Sequence, residues 1–278
     1  MGLIELAPGH KQGLPVDNPV LLAGGVVGYG EAVPPGLEMS ALGAVVIGPF
    51  TATPRRGSAP PRMATTNGGL VLATGGQSRG VRAAVRQFAR LWPRLGVPVV
   101  AQIIDTDAVA AGRTAAALAR CAGIVGLELA PPLDDADGLE EAIRAVIDAA
   151  DLPLWVKLPV DGAEQLARGA VRAGAQGLVI GRAPSARLPG AEEAKDGRAA
   201  WVSGALHGPL VFAMMMKALT EVAQQELGVP LIACGGIHTA EQMAQALAAG
   251  ASAIQVDSGV WVEPALPNWL ATDWSRSR

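Results

Sequence analysis

The chain has 278 residues, 50% of them hydrophobic and only 17% charged, with a formal net charge of −3. That balance excludes a disordered chain, and no run of Lys and Arg offers a footprint for nucleic acid. Two cysteines, Cys121 and Cys234, exclude a disulfide-rich scaffold, and no C-x-x-C is present to hold zinc or an iron–sulfur cluster, so no metal site is expected.

The N-terminal MGLIELAPGH has neither a basic stretch nor a long apolar one. With no apolar run near the ~18 residues of a membrane helix, the expectation is a cytoplasmic protein without signal peptide or membrane span. Eight short apolar runs follow: Val20 to Leu22, Ala44 to Ile47, Pro98 to Ile104, Ile124 to Leu129, Leu154 to Leu158, Gly177 to Ile180, Leu231 to Cys234 and Ala253 to Val256. They are continuous rather than alternating, which is how strands buried on both faces read. Ala-rich helical stretches lie between them: Val81 to Leu95, Ala108 to Cys121, Gly138 to Ala150, Gly162 to Ala173, Pro209 to Leu227 and Thr239 to Ala249. Leu166 to Ile180 (LARGAVRAGAQGLVI) and Met243 to Val256 (MAQALAAGASAIQV) repeat one helix, one A-G-A turn and one strand. Eight such units in one chain predict an α/β fold, a (β/α)8 barrel. The runner-up, a doubly wound sheet, lacks its G-x-G-x-x-G turn, because Ala23 to Gly30 is Gly-rich at the wrong spacing. One domain is expected over residues 1–278, with residues 1–19 as a cap and 262–278 as a tail.

In this fold chemistry sits on the loops after the strands. Lys157 ends strand five, inside a buried run. It faces either a cofactor or substrate, or Glu128 on the neighbouring strand. Residues 182–207 show no strand or helix pattern and read as a lid or binding loop. His207, before the next helix, is a candidate acid or base or a capping residue, and His238 is a weaker candidate. Cys234-Gly235-Gly236 after strand seven suits an anion such as phosphate, and Thr239 with Gln242 starts a helix there. Asp257, after strand eight, would repel that anion unless a cation or hydrogen bond intervenes. Met214 to Met216 read as packing, Cys121 as inert, and Cys234 as either reactive or masked.

From Asn18 to Trp261 the chain resembles the dihydroorotate dehydrogenases, FMN-dependent (β/α)8 flavoproteins, and most closely their soluble class. The carrying segments are Asn18-Pro19-Val20 through Gly28-Tyr29-Gly30, Pro54-Arg55-Arg56-Gly57, Pro60-Pro61-Arg62, Leu127-Glu128-Leu129, Val156-Lys157-Leu158, Ser203-Gly204 to Gly208-Pro209, Cys234-Gly235-Gly236-Ile237 and Ala249-Gly250-Ala251-Ser252. The resemblance implies FMN held by Ala23, Gly24, Lys157, Gly208, Gly235, Gly236 and Ser258. It also shows departures. The family's catalytic Cys falls on Leu133, in Ala130-Pro131-Pro132-Leu133-Asp134-Asp135. Its strand-two Lys falls on Gly48, two substrate Asn fall on Leu72 and Arg182, and a phosphate-loop Gly falls on Asp257. The expectation is a divergent FMN oxidoreductase that does not use the Cys-base route. His207, Asp134 or Asp135 would supply the proton, and Arg182 would meet an anionic group on a small-molecule substrate. The alternative is a catalytically silent relative that serves as a subunit or ligand-binding partner. A homodimer or a place in a larger complex is expected in either case.

Overall fold

The continuous apolar runs close on one another as parallel strands. The computed structural model describes residues 2–132, 135–193 and 199–276. The barrel strands are β1 (Val20–Leu22), β2 (Ala44–Phe50), β3 (Val99–Ile103), β4 (Ile124–Leu129), β5 (Leu154–Pro159), β6 (Gly177–Arg182), β7 (Leu231–Cys234) and β8 (Ala253–Val256). Each pairs in parallel with the next, and β8 returns to β1 through Gln255 opposite Leu21, which closes the barrel. Val20, Leu21, Val45, Val46, Val100, Leu178, Ile232 and Ile254 are wholly buried. Burial on both faces is why these strands do not alternate in sequence.

Helices α1 (Val81–Phe88), α2 (Ala108–Leu118), α3 (Ala136–Ala149), α4 (Ala163–Ala173), α5 (Val211–Ala223) and α6 (Ala240–Ala248) run between the strands, and α7 (Gly259–Val262) and α8 (Leu266–Arg276) follow β8. Their starts are capped as the sequence allows. Asp107 accepts from Ala110 N at 2.8 Å, and Thr239 accepts from Gln242 N at 3.2 Å. The first helix is shorter than expected. It stops at Phe88, and a 3-10 turn over Trp92–Arg94 follows, because Pro93 has no N–H to continue an α-helix.

The stretch 182–207 departs from the sequence expectation. Ser185–Glu193 and Ala199–His207 form an antiparallel hairpin. The second of these strands adds to another hairpin, Met63–Thr66 with Gly69–Leu72, to make a four-stranded sheet. A period-two signal was present: Trp201 and Ser203 are exposed while Val202 between them is buried. Val202 joins Ala64, Val71 and Ala73 in a small second core. Its partners lie some 130 positions earlier, as with Leu206 opposite Val71, and a local reading does not reach that far.

The N-terminal residues pair as Ile4–Glu5 with Pro15–Val16. Trp155 of β5 donates its indole N–H to Leu6 O at 2.9 Å, which ties this hairpin to the barrel.

Candidate active site

Four polar side chains from four strands meet inside the barrel: Gln102 of β3, Glu128 of β4, Lys157 of β5 and Gln255 of β8. Glu128 and Gln255 are fully buried. A buried carboxylate is tolerated only with its oxygens satisfied. Gln102 Nε2 donates to Glu128 Oε1 at 2.7 Å, and Gln255 Nε2 donates to Oε2 at 2.6 Å. Lys157 Nζ donates to Gln255 Oε1 at 2.9 Å and lies 3.7 Å from Glu128 Oε1. Burial disfavours the Lys157 ammonium, but Cys234, Glu128 and Asp257 around it outweigh that penalty and hold its pKa above the usual lysine value. Burial pushes the Cys234 thiol up to about 11, against the pull of Lys157. Cys234 is therefore a thiol at neutral pH, and the masked reading of this residue holds.

The loops after β7 and β8 meet above this layer. Asp257 follows β8, and its Oδ2 lies 2.8 Å from His207 Nδ1 at the end of the added sheet. Burial pushes the Asp257 carboxyl up, but the His207 hydrogen bond and the charges of His207, Lys157 and His238 prevail and hold it below the usual carboxylate range. An ionised carboxylate only accepts, so Nδ1 carries the proton in this bond and Nε2 is the acceptor nitrogen of the neutral ring. The Trp261 ring lies 5.3 Å from the His207 ring. His238, whose pKa burial lowers, places Nε2 3.5 Å from Ser258 Oγ.

The backbone in these loops is buried yet unspent. Among the described residues, nothing accepts a hydrogen bond from the N–H of Gly235, Gly236 or Ser258. All three residues are buried. Buried N–H groups rarely go without an acceptor, and a cluster at strand ends is suited to an anion. Glycine is required at Gly236, where φ is +71° and a Cβ would stand 2.2 Å from Phe212 N.

A cavity of about 800 Å³ opens at this end of the barrel. His207, Asp257 and Trp261 line one side, and Arg55, Arg62 and Gln77 of the β2–α1 segment line another. Three wall positions, Gly48, Leu72 and Ala130, offer no side-chain hydrogen bond. Gly24 also lines the cavity, and Gln102 packs against it so closely that a Cβ would lie 2.5 Å from Nε2.

The structure therefore brings His207, Gly24 and Asp257 to one cavity. Lys157, Gly208, Gly235, Gly236 and Ser258 are buried and do not line it. Ala23 is buried and bonds Val256 O through its N–H at 3.0 Å. Asp135 caps α3, accepting from Gly138 N at 2.7 Å. Asp134 and Leu133 lie outside the described residues. Arg182 lines a different cavity, with Pro159, Asp161 and Ser185. The sequence reading missed Gln102 and Gln255. Both are polar residues inside apolar strand runs, the same signal that marked Lys157.

The sequence matches a family model described as dihydroorotate dehydrogenase over residues 10–271. A protein of Desulforudis audaxviator named dihydroorotate dehydrogenase B (NAD(+)), catalytic subunit, is 34% identical over 94% of this chain and 89% of its own. The catalytic subunit of the same name from Geobacillus kaustophilus is 30% identical over 91% and 84%. A dihydroorotate dehydrogenase A (fumarate) of Limosilactobacillus reuteri is 28% identical over 94% and 89%. In fold, the chain is similar to a dihydroorotate dehydrogenase of Eimeria tenella solved in complex with ferulenol, with a TM-score of 0.76 at 20% identity over 97% of this chain and 82% of that one. With a barrel of eight parallel strands and a match over nearly its whole length, this chain belongs to the dihydroorotate dehydrogenase family.

Proposed function

We propose that this protein is an FMN-dependent oxidoreductase in which His207 moves the proton. The carrying observation is the set of unspent N–H groups of Gly235, Gly236 and Ser258, close to the buried ammonium of Lys157. That donor set fits a phosphate at the loops and a cation near the electron-accepting ring, as the flavin-binding role of Lys157 requires. Bound FMN would accept the two electrons of substrate oxidation. Gly208, Gly235, Gly236 and Ser258 would hold the phosphate end, Lys157 would face the ring, and Ala23 and Gly24 would supply backbone beside it. Asp257 is compatible with that phosphate because its charge is engaged by His207.

His207 Nε2 takes the proton released from the substrate, while Nδ1–H stays bonded to Asp257. The carboxylate fixes the tautomer and stabilises the imidazolium that forms. Asp135, which caps α3, is not needed for this role. The substrate is not dihydroorotate handled by a Cys base. Gly48, Leu72 and Ala130 remove polar groups from the wall of the cavity, and a site built without them holds a larger and less polar molecule. Arg55 and Arg62 retain a place for an anionic group, and Arg182 serves at most a second subsite.

The names of the relatives, catalytic subunits, support work in a complex with a further subunit. Among the described residues no helix is long and apolar enough to cross a membrane. A second reading, a catalytically silent subunit, is favoured by one observation: Lys157 already has partners in Gln255 and Glu128. The visible spectrum of the purified protein separates the two. An oxidised-flavin spectrum with one FMN per chain supports the enzyme. A colourless protein that takes up no added FMN overturns it.

A further inference from the structure

Away from the barrel mouth, a cleft of about 740 Å³ lies between α1 and α2 on the outer face. Five arginines line it: Arg79, Arg82 and Arg86 from α1 and its approach, and Arg113 and Arg120 from α2 and its end. No acidic residue lines it. Among the described residues, none of the five lies within ion-pair distance of a carboxylate. The sequence around α1 is one-sided too, since residues 79–104 hold five Arg and no Asp or Glu in a chain whose net charge is −3. Five exposed guanidiniums without a carboxylate partner, Arg79 lying over the Phe88 ring, gather like charge around one cleft, and an anion between them offsets it.

The start of α1 points the same way. Its N-cap is Gly80, without a side-chain cap, and no acidic residue stands in the first turn. No described group accepts from the N–H of Arg82 or Ala83. Gly80, Val81 and Ala83 line the cleft, so these donors and the positive end of the helix open onto it. Apart from Thr53, the remaining walls are small and apolar, among them Ala52, Pro54, Val81, Ala116 and Ala117. The volume is that of a site for a small organic ligand rather than a single ion. Planar guanidiniums suit the paired oxygens of phosphate groups.

We infer that this cleft binds a polyphosphate-bearing small molecule of nucleotide size. It also bears on the active site. Ala52, Thr53 and Pro54 line the arginine cleft, and the next residue, Arg55, lines the barrel-mouth cavity. A ligand held in the cleft thus rests on the segment that carries Arg55, which gives it a route to regulate substrate binding.

The test is titration calorimetry of the full chain at low salt, with inorganic triphosphate in one arm and ADP in the other. Saturable binding of either at one site per chain is expected. Exclusive binding of ADP would show that the apolar wall takes the nucleoside. The double variant Arg82→Gln/Arg113→Gln should weaken binding at least about tenfold. A double variant of equal charge but off the cleft, Arg90→Gln/Arg94→Gln, should leave it within about twofold, since only long-range charge is lost. No saturable binding of either ligand overturns the inference, and so does equal weakening by both double variants. The site stands apart from the flavin reading: a colourless protein that binds triphosphate through Arg82 and Arg113 would remove the enzyme and leave the cleft.

Discussion

His207 Nδ1 and Asp257 Oδ2, 2.8 Å apart, join two parts of the molecule that no other described side-chain hydrogen bond links at this point. His207 ends the last strand of the four-stranded sheet, and Asp257 follows the last strand of the barrel. The imidazole is thus held at both its backbone and its ring.

If the pair moves protons, its two halves are separable by experiment. In the neutral imidazole the proton should reside on Nδ1, which nitrogen NMR of labelled protein reads directly. Asp257→Asn should shift that tautomer preference, because an amide can donate as well as accept. His207→Gln should lower turnover of an oxidised substrate by about 10²–10⁴-fold with little change in KM. A variant that retains full turnover removes His207 from the chemistry.

Glu128 and Lys157 make a second testable pair. Glu128→Ala leaves a buried ammonium with one partner fewer and strands the amides of Gln102 and Gln255. The loss should be about 3–5 kcal/mol in urea unfolding. Glu128→Gln with Lys157→Met removes both charges and should recover most of it. If the double variant is no more stable than Glu128→Ala, the ion pair is not what the layer depends on.

Asp257 also sets an acid limit. Its carboxyl is held below the usual range in the folded protein, so folding favours the ionised form. That contribution is complete above the unfolded carboxyl pKa of about 3.9 and is lost as pH falls through the lower folded value. Asp257→Asn should show a shallower fall of stability over this acid range than the wild type, in urea midpoints taken at stepped pH. Parallel curves would place the acid sensitivity elsewhere.

Much of this was legible in the sequence. Buried parallel strands announce themselves as continuous apolar runs, and all eight appear where Val, Ile and Leu cluster. Lys157 stood out because a charge inside such a run needs a reason. The sheet built from Met63–Thr66, Gly69–Leu72 and the hairpin ending at His207 was not legible. Its register depends on pairing between distant segments, and its strands hold much Ala and Gly, which are weak strand formers. His207 was visible only as a loop residue, because Asp257 lies 50 positions away. The same distance hid the fact that Asp257 has a partner, which changes it from an obstacle to an anion into half of a pair.

Gly24 carries the last prediction. Position 24 carries no side chain, and Gln102 occupies the space. A Cβ at Gly24 would lie 2.5, 2.7 and 2.9 Å from the three amide atoms of Gln102. Gln102 cannot swing away freely, because Glu128 binds its Nε2 at 2.7 Å. Gly24→Ala should therefore cost about 1–3 kcal/mol by overpacking. Gln102→Ala alone should also destabilise, since it leaves Glu128 Oε1 short of a donor. Gly24→Ala with Gln102→Ala should cost less than the sum of the single changes, because the collision disappears. A double variant whose loss equals that sum would show that Gln102 does not press on Gly24, and that the glycine is there for another reason.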